Sequence, residues 1–226
     1  MKNGWHSVGL DWSEALCVRA RKAIPGSRFE SGDMSATPFK DGEFGSIVAL
    51  GSIEHSPEGP EPAIKEFYRI LLPNGIAIIT VPYGGVMLRE ISRLLYTSML
   101  WMRASPTIRR IFGKQGWSGR SLMDAQGETI REWYPRFGCN EKGWFFCEYN
   151  FTMKQMRQFL KSNGFSIIEE FVGVGDKGIV FNFGRVAGYF DDNKLRVHLT
   201  PIGKLISRMI PARYMGHMLC YVVRRG

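Results

Sequence analysis

Ile76-Ala77-Ile78-Ile79-Thr80-Val81 is an apolar run with Asn74-Gly75 directly before it and Pro82 directly after it. A similar run, Ser46-Ile47-Val48-Ala49-Leu50, occurs earlier in the chain. The run over 46–50 is typical of a strand buried on both faces, and the run over 76–81 is the clearest strand in the chain. Between the two runs, Pro62 suits the first turn of a helix. The order strand, helix, strand predicts a parallel pair inside an α/β sheet.

The residues before this unit show the same alternation. Ser7 to Leu10 is a predicted short strand, and Ser13 is a good N-cap for a helix that stops at Pro25-Gly26. Arg28 to Glu30 is a further predicted strand. Residues 1–83 are therefore expected to form alternating strands and helices.

The rest of the chain returns to this pattern only in places. Thr152 is a predicted N-cap, Ser166 to Val172 is a predicted strand, and Met218 to Val223 is a predicted final strand. Two insertions, 84–146 and 176–215, interrupt the sheet. We expect one domain over residues 1–226, whose core is formed by the remaining segments 1–83, 147–175 and 216–226.

The composition is that of a globular protein, with 226 residues of which 44% are hydrophobic and 23% charged. Four cysteines lie far apart without a CxxC pair, which argues against a structural zinc site or a disulfide scaffold. The first ten residues lack the apolar block of a secretory signal. We expect a cytoplasmic protein without a metal.

The net charge of +9 is concentrated in two segments. Residues 84–120 carry seven basic and one acidic side chain, and residues 185–226 carry eight and two. A predicted helix from Pro201 to Ile210 places apolar residues on one face and Lys204 and Arg208 on the other. This pattern favours peripheral contact with an anionic membrane surface. No signature of a nucleic-acid module is present, so no specific nucleic acid is expected.

Chemically active side chains follow three predicted strands at their carboxyl ends, where α/β sheets bind ligands. The carboxylate of Asp11 can accept hydrogen bonds from both hydroxyl groups of a ribose, and that of Asp33 can accept one from an adenine amino group. Gly51 lets a ligand approach the backbone closely, and His55 is a candidate general base or orienting group. Capping and turn roles stay open for the two aspartates.

In this order, the motifs resemble the class I S-adenosylmethionine-dependent methyltransferases, in particular the branch that acts on small molecules and lipids. The resemblance implies a Rossmann-like α/β sheet, mostly parallel with an antiparallel C-terminal strand, and leaves both insertions outside it. The matching segments are 9–13 (Gly-Leu-Asp-Trp-Ser), 32–34 (Gly-Asp-Met) with 37–39, 41–44, 50–55, 67–75, 81–83, 149–152 and 163–165.

The resemblance also implies a cofactor, S-adenosyl-L-methionine, and a site for it. Asp11 would bind the cofactor's ribose with Trp12 beside it, and Asp33 and Met34 would bind the adenine. The implied reaction is in-line transfer of a methyl group from the sulfonium to a nucleophile. The methionine end of the cofactor would be lined by Leu50, Gly51 and Ser52.

The acceptor is expected to be a small molecule such as a lipid or glycan precursor. Candidate catalytic residues on the acceptor side are His55, Tyr83 and Tyr149. A predicted amphipathic helix near 87–103 and four tryptophans of the first insertion suit an amphiphilic or anionic acceptor. We favour the alternative that these aromatic side chains form the core of the insertion. The tryptophans are Trp101, Trp117, Trp133 and Trp144.

One feature of the family is missing from the sequence. The family begins with a strand and a glycine-rich loop for the methionine part of the cofactor, whereas Gly4 is the only glycine before Gly9 here. The first strand of the sheet is therefore expected to be missing. Two interpretations stay open: an N-terminally truncated methyltransferase, or a non-catalytic binding module that has lost the cofactor. A nicotinamide-binding fold fits less well, because its glycine fingerprint is equally absent.

Overall fold

A computed structural model describes most of the chain outside the first insertion. The predicted helix near 87–103, apart from Met102, lies outside the described residues, as do Trp101 and Trp117. None of the described helices combines the length and apolar character needed to cross a lipid bilayer. The described residues are 6–84, 102, 105–111, 120–130, 133–140, 142–173, 175–191, 196–211, 214 and 216–226.

The first unit is a parallel β-α-β arrangement, as predicted. It consists of β1 (Val8–Asp11), α1 (Glu14–Ala23) and β2 (Arg28–Ser31). The Ser13 side chain caps α1 by accepting a hydrogen bond from the backbone of the third helical residue. β1 and β2 pair in parallel, so that Asp11 lies opposite Ser31 at the carboxyl end.

The main sheet has four strands in the order β3-β4-β10-β7. β3 (Phe44–Leu50), α2 (Glu61–Ile70) and β4 (Leu71–Pro82) form a second parallel unit. β10 (Met218–Arg225) lies antiparallel between β4 and β7 (Phe165–Gly173). The predicted parallel pair and the antiparallel C-terminal strand are therefore confirmed.

The core lies on one face of this sheet, under α2 and a helix that begins after the N-cap Thr152. On the opposite face of β3, Val48 and Leu50 are 62% and 64% exposed. The prediction of a strand buried on both faces is therefore wrong for β3, because its side chains alternate between a packed face and an exposed one. Buried side chains of the core include Ile64, Phe67, Ile79, Val81, Met156, Leu160, Leu219 and Tyr221.

The first insertion contains two short helices and a β-hairpin. Trp144 is buried in a small cluster with Ala125 and Phe137, and Trp133 packs against the main core. The interpretation as a core of the insertion is therefore confirmed for Trp144, whereas Trp133 is buried in the main core instead. The elements are α3 (Pro106–Ile111), α4 (Leu122–Gly127), β5 (Tyr134–Asn140) and β6 (Gly143–Asn150).

The remaining elements lie between β6 and β10. The predicted helix after Thr152 is α5 (Met153–Ser162), which ends at Asn163-Gly164 as expected. The second insertion holds the predicted helix together with a further helix and a hairpin that were not predicted. Its elements are α6 (Gly175–Phe183), a one-turn 3₁₀ helix (Gly184–Val186), β8 (Gly188–Asp191), β9 (Arg196–Leu199) and α7 (Pro201–Met209).

Candidate functional site

Asp11 lies at the carboxyl end of β1 with one carboxylate oxygen engaged. Its Oδ1 accepts a hydrogen bond from the backbone amide of Ser13 at 2.8 Å. The other oxygen, Oδ2, has no hydrogen-bond partner among the described residues. The next side chain, Trp12, is 86% exposed. Asp11 thus stabilises the turn after β1 through Oδ1, and its Oδ2 remains available as an acceptor next to the exposed ring of Trp12.

Asp33 has the same arrangement at the neighbouring strand end. Its Oδ1 accepts hydrogen bonds from the Ser35 backbone amide at 2.8 Å and from the Ser35 hydroxyl at 2.7 Å. These bonds lower the pKa of the Asp33 carboxyl, so the group is a carboxylate at neutral pH. Met34 packs against the main core and anchors the turn. Turn formation and ligand binding are therefore compatible at Asp33, because they use different oxygens.

Leu50, Gly51 and Ser52 lead from β3 into a one-turn 3₁₀ helix, Ile53–His55. Gly51 has a φ of 64°, which favours glycine. A Cβ at this position would lie 3.3 Å from Oε1 of Glu54. The turn therefore needs a glycine both for its backbone conformation and for the approach of Glu54.

The 3₁₀ helix carries the most unusual ionisable group of the described residues. Glu54 is 2% exposed, and burial raises the pKa of its carboxyl to about 7. The neighbouring His55 is exposed, and its Nδ1 lies 2.8 Å from the carbonyl oxygen of Cys147. Because a carbonyl oxygen only accepts, Nδ1 donates, and in the neutral ring Nε2 carries the lone pair. Glu148, next to Cys147, brings a second carboxylate to this position.

The two candidate tyrosines differ in how they are used. Tyr149 is fully buried, and its hydroxyl donates to the Pro57 carbonyl at 2.5 Å and accepts from the Ile130 amide at 2.8 Å. Its hydroxyl therefore stabilises the fold, and we leave Tyr149 out of the site. Tyr83 is half-buried at the end of β4, and burial raises the pKa of its phenol.

Two groups of predicted residues emerge from this geometry. Asp11 and Asp33 share one edge through the parallel pair β1 and β2, and Gly51 and His55 lie at the end of β3 in the four-stranded sheet. Within the described residues, no backbone ladder joins the two sheets. They are connected by the loop after Asp33. This loop is hydrogen-bonded to Glu66 and Arg69 of α2.

Sequence reasoning missed Glu54 and Glu148. Glu54 stands beside His55 in the sequence. It is unusual because its side chain is buried, and burial of a glutamate cannot be predicted from its residue type. Glu148 and its ion-pair partner Arg136 come from β6 and β5, more than 80 residues further along the chain. The sequence offered one local signal, the apolar Ile53 directly before two polar residues. In the structure Ile53 is fully buried, and it carries the turn toward the core.

The residues of the site fit S-adenosyl-L-methionine at its adenosine end. A ribose diol needs an acceptor for two hydroxyl groups, and an adenine amino group needs another. Asp11 Oδ2 and Asp33 Oδ2 are such acceptors, and Trp12 offers an exposed ring at the same edge. Gly51 leaves the backbone open to close approach at the end of β3.

The first part of the chain is similar in sequence to methyltransferases. Residues 1–79 match the family model described as a methyltransferase domain. A segment of 65 residues is 38% identical to 2-methyl-6-phytyl-1,4-hydroquinone methyltransferase 2, chloroplastic, from Oryza sativa subsp. japonica, covering 29% of this chain and 18% of the rice protein. A segment of 75 residues is 35% identical to demethylmenaquinone methyltransferase from Chlorobaculum parvum, covering 33% and 31%. The chain thus spans less than a third of the length of either relative.

The fold matches solved methyltransferase structures over nearly the whole chain. A SAM-dependent methyltransferase from Methanosarcina mazei superposes with a TM-score of 0.57 at 14% sequence identity. The superposition covers 98% of this chain and 82% of the archaeal one. The chain therefore has the α/β fold of S-adenosylmethionine-dependent methyltransferases, and its residues 1–79 match the methyltransferase domain family.

Proposed function

We propose that this chain transfers a methyl group from S-adenosyl-L-methionine to a small-molecule acceptor. The observation that carries the proposal is the pair of open carboxylate oxygens, Asp11 Oδ2 and Asp33 Oδ2, at adjacent strand ends. They lie in the part of the chain that matches the methyltransferase domain family. When bound, the cofactor would supply the electrophilic methyl group.

The cofactor would lie across the ends of β1, β2 and β3. Asp11 accepts from the ribose hydroxyls, Trp12 covers the sugar or base, and Asp33 with Met34 binds the adenine. In each aspartate, Oδ1 accepts the hydrogen bond that stabilises the turn, while Oδ2 binds the ligand. The methionine end of the cofactor would contact Leu50, Gly51 and Ser52.

The acceptor would lie beside His55. The Nδ1 hydrogen bond to the Cys147 carbonyl fixes the ring. Its Nε2 lies 3.9 Å from Glu54 Oε1, and the His55 side chain is 53% exposed, so an acceptor can reach it. Tyr83, at the end of the neighbouring strand β4, would line the same pocket. The His55 ring contacts the Cys147 carbonyl, and the Tyr83 amide donates to the His217 carbonyl at 2.9 Å, which suits orientation of an acceptor.

We further propose a hydroxylated aromatic acceptor with a lipid-like tail. The two relatives are named for methylation of a phytyl hydroquinone and of demethylmenaquinone. The test is transfer of tritium from methyl-labelled cofactor to a panel of hydroquinones, with and without a prenyl tail, against water-soluble glycan precursors. We expect label in the prenylated hydroquinones; label only in the glycan precursors would reject this acceptor class.

Cofactor binding is tested by calorimetric titration with S-adenosylhomocysteine, the product, which binds without turning over. Asp11→Asn and Asp33→Asn keep the oxygen that forms the turn and replace the carboxylate charge. Each substitution should weaken binding by roughly tenfold or more, since a charge-assisted hydrogen bond is lost. Asp124→Asn is the matched control, because Asp124 also accepts from a nearby serine, on α4, away from β1 and β2.

The outcomes separate enzyme from binding module. Binding by wild type that is lost in the two variants and kept in the control supports the proposal. No detectable binding by the wild-type chain would favour the alternative, a truncated or non-catalytic relative that has lost cofactor binding. Equal binding by all four proteins would place the cofactor elsewhere.

A lipid-like acceptor also gives a role to the exposed face of α7. Ile202, Leu205 and Met209 are 53%, 57% and 72% exposed and recur at helical spacing. Lys204 and Arg208 lie on the same helix one turn apart. Apolar side chains flanked by cations on an exposed helix suit shallow insertion into an anionic lipid surface. We propose that α7 contacts such a membrane.

Co-sedimentation with vesicles of phosphatidylcholine, with and without phosphatidylserine, tests this contact. The wild-type chain should pellet with the anionic vesicles in a salt-sensitive way, and Leu205→Asp should abolish it. Met123→Asp is the control, because Met123 is 80% exposed on a different helix, α4. Pelleting that is absent, or equal in the two variants, would rule α7 out.

A further inference from the structure

Two carboxylates and one imidazole converge at the end of β3. Glu54 and His55 belong to the 3₁₀ helix, and Glu148 lies on β6. One potential ligand atom from each residue lies within 4.8 Å of the other two. Packing of β6 against the 3₁₀ helix brings these distant parts of the sequence together.

Glu54 contributes a buried oxygen that nothing satisfies. Its side chain is 3% exposed, and its Oε2 has no hydrogen-bond partner in the part of the chain that the structure describes. A buried polar atom without a partner is costly, and a buried carboxyl group is stabilised as a carboxylate only by a cation beside it. A metal ion bound at this position would be that cation.

His55 is oriented as a metal-binding histidine usually is. Its Nδ1 donates to the Cys147 carbonyl at 2.8 Å, which is the outer contact that fixes the ring of many metal-ligating histidines. The remaining nitrogen, Nε2, lies 3.9 Å from Oε1 of Glu54. Two donors at this separation can bind one ion at ligand distances of about 2.1 Å.

Glu148 is held in place and the cluster is open to solvent. Arg136 lies 2.5 Å from Oε1 of Glu148, which fixes the carboxylate and partly offsets its charge. The side chains of Glu148 and His55 are 19% and 53% exposed. An ion can therefore enter from the His55 side, with the buried Glu54 at the back of the site.

We propose that Glu54, His55 and Glu148 bind one divalent first-row transition-metal ion. A set of one imidazole and two carboxylates suits zinc or manganese, whereas calcium takes oxygen ligands only. Three protein ligands leave a coordination position for water or for an oxygen of a bound molecule. No metal was predicted from the sequence, because the spacing of these three residues along the chain does not match a known metal-binding motif.

The position of the cluster links it to the pocket. The 3.3 Å approach of Glu54 Oε1 to the Cβ position of Gly51 puts the ion beside the methionine end of the cofactor site. An acceptor hydroxyl on the ion would lose its proton to solvent water more readily and would be held near the methyl group. The O–CH₃ bond would then form as the S–CH₃ bond breaks, with S-adenosylhomocysteine as the leaving group. This role in orienting the acceptor rests on the proposed function, whereas binding of the ion does not.

The test is calorimetric titration of chelator-treated, tag-free protein with zinc chloride at pH 7. We expect one zinc ion per chain, confirmed by elemental mass spectrometry after gel filtration, and a rise in Tm on binding. Glu54→Gln, His55→Gln and Glu148→Gln should each weaken zinc binding by at least tenfold. Glu58→Gln is the matched control, because Glu58 is exposed and only four residues from Glu54. It should bind zinc as the wild type does.

Two results would overturn the proposal: no saturable zinc binding by the wild type, or unchanged binding by Glu54→Gln. Circular dichroism and thermal unfolding of every variant establish that each is folded, and S-adenosylhomocysteine titration is run separately on each. Zinc binding without S-adenosylhomocysteine binding would reject the proposed function alone. The opposite combination would reject the metal site alone.

Discussion

The carboxylate of Glu66 accepts two hydrogen bonds from Thr37, one from its backbone amide at 2.8 Å and one from its hydroxyl at 2.5 Å. Glu66 lies on α2, and Thr37 lies four residues after Asp33. Arg69 completes the arrangement, donating to Glu66 and to the Phe39 carbonyl, both at 2.7 Å. The loop that follows Asp33 is thus held against α2 by side-chain hydrogen bonds.

Glu66→Gln should destabilise the chain at neutral pH. Hydrogen bonds from Arg69 and Thr37 lower the pKa of the Glu66 carboxyl to about 2, and the unfolded chain binds this proton more tightly. The stabilisation is therefore present above pH about 4.5 and is lost as the pH falls towards 2. We expect a loss of about 1–2 kcal/mol in the free energy of unfolding at pH 7, because solvent reaches the Arg69 partner and the glutamine keeps one acceptor oxygen.

Urea denaturation at pH 7 and pH 3 measures this effect. The difference between wild type and Glu66→Gln should shrink at pH 3, and an equal difference at both pH values would contradict the assignment. Glu61→Gln, an exposed glutamate on the same helix that pairs with Lys65, should change the stability by less than about 0.5 kcal/mol.

Gly51→Ala should impair the site beyond its cost in stability. The positive φ strains any side chain here, and the added Cβ would lie 3.3 Å from Glu54 Oε1. Gly26→Ala shares the positive φ but meets open space. Both variants should lose about 1 kcal/mol in urea denaturation. Only Gly51→Ala should lose affinity for S-adenosylhomocysteine in calorimetry, and equal affinity in the two variants would count against Gly51 in the site.

Tyr149→Phe should affect the fold and leave ligand binding unchanged. It removes a fully buried hydroxyl and leaves the Pro57 carbonyl and the Ile130 amide without their partner. We expect a loss of about 1–3 kcal/mol in the free energy of unfolding. Tyr68→Phe, whose exposed hydroxyl donates to Gly226, should cost less. A weakened affinity for S-adenosylhomocysteine in Tyr149→Phe, at unchanged stability, would return Tyr149 to the site.

Val48→Ala and Val81→Ala test the two faces of the main sheet with the same chemical change. Val81 is fully buried, whereas Val48 is 62% exposed. Val81→Ala should cost about 2 kcal/mol through lost burial and a cavity, and Val48→Ala less than about 0.5 kcal/mol. Thermal unfolding compares them, and equal costs would mean that a further element covers Val48.

The strands and caps were predictable because their signals are local. The apolar run over 76–81 and the N-cap Thr152 each determine the structure within a few residues. Asp11 and Asp33 were identified as strand-end acceptors for the same reason. A strand end and a turn residue stand next to each other in the sequence.

The burial of individual side chains and the contacts between distant segments could not be predicted from the sequence. Val48 looks like any core valine, and its exposure depends on what packs against its face of the sheet. The burial of Tyr149 depends on contacts with Pro57 and Ile130 from other segments. The burial of Glu54 beside Glu148 likewise arises only when β6 packs on the 3₁₀ helix.

A crystal structure of the chain with S-adenosylhomocysteine tests the central claim most directly. We predict that the ribose hydroxyls lie within hydrogen-bond distance of Asp11 Oδ2, with the adenine amino group at Asp33 and the sulfur beside Gly51. Product bound at another position, or crystals grown at saturating product without it, would contradict a methyltransferase site at these strand ends.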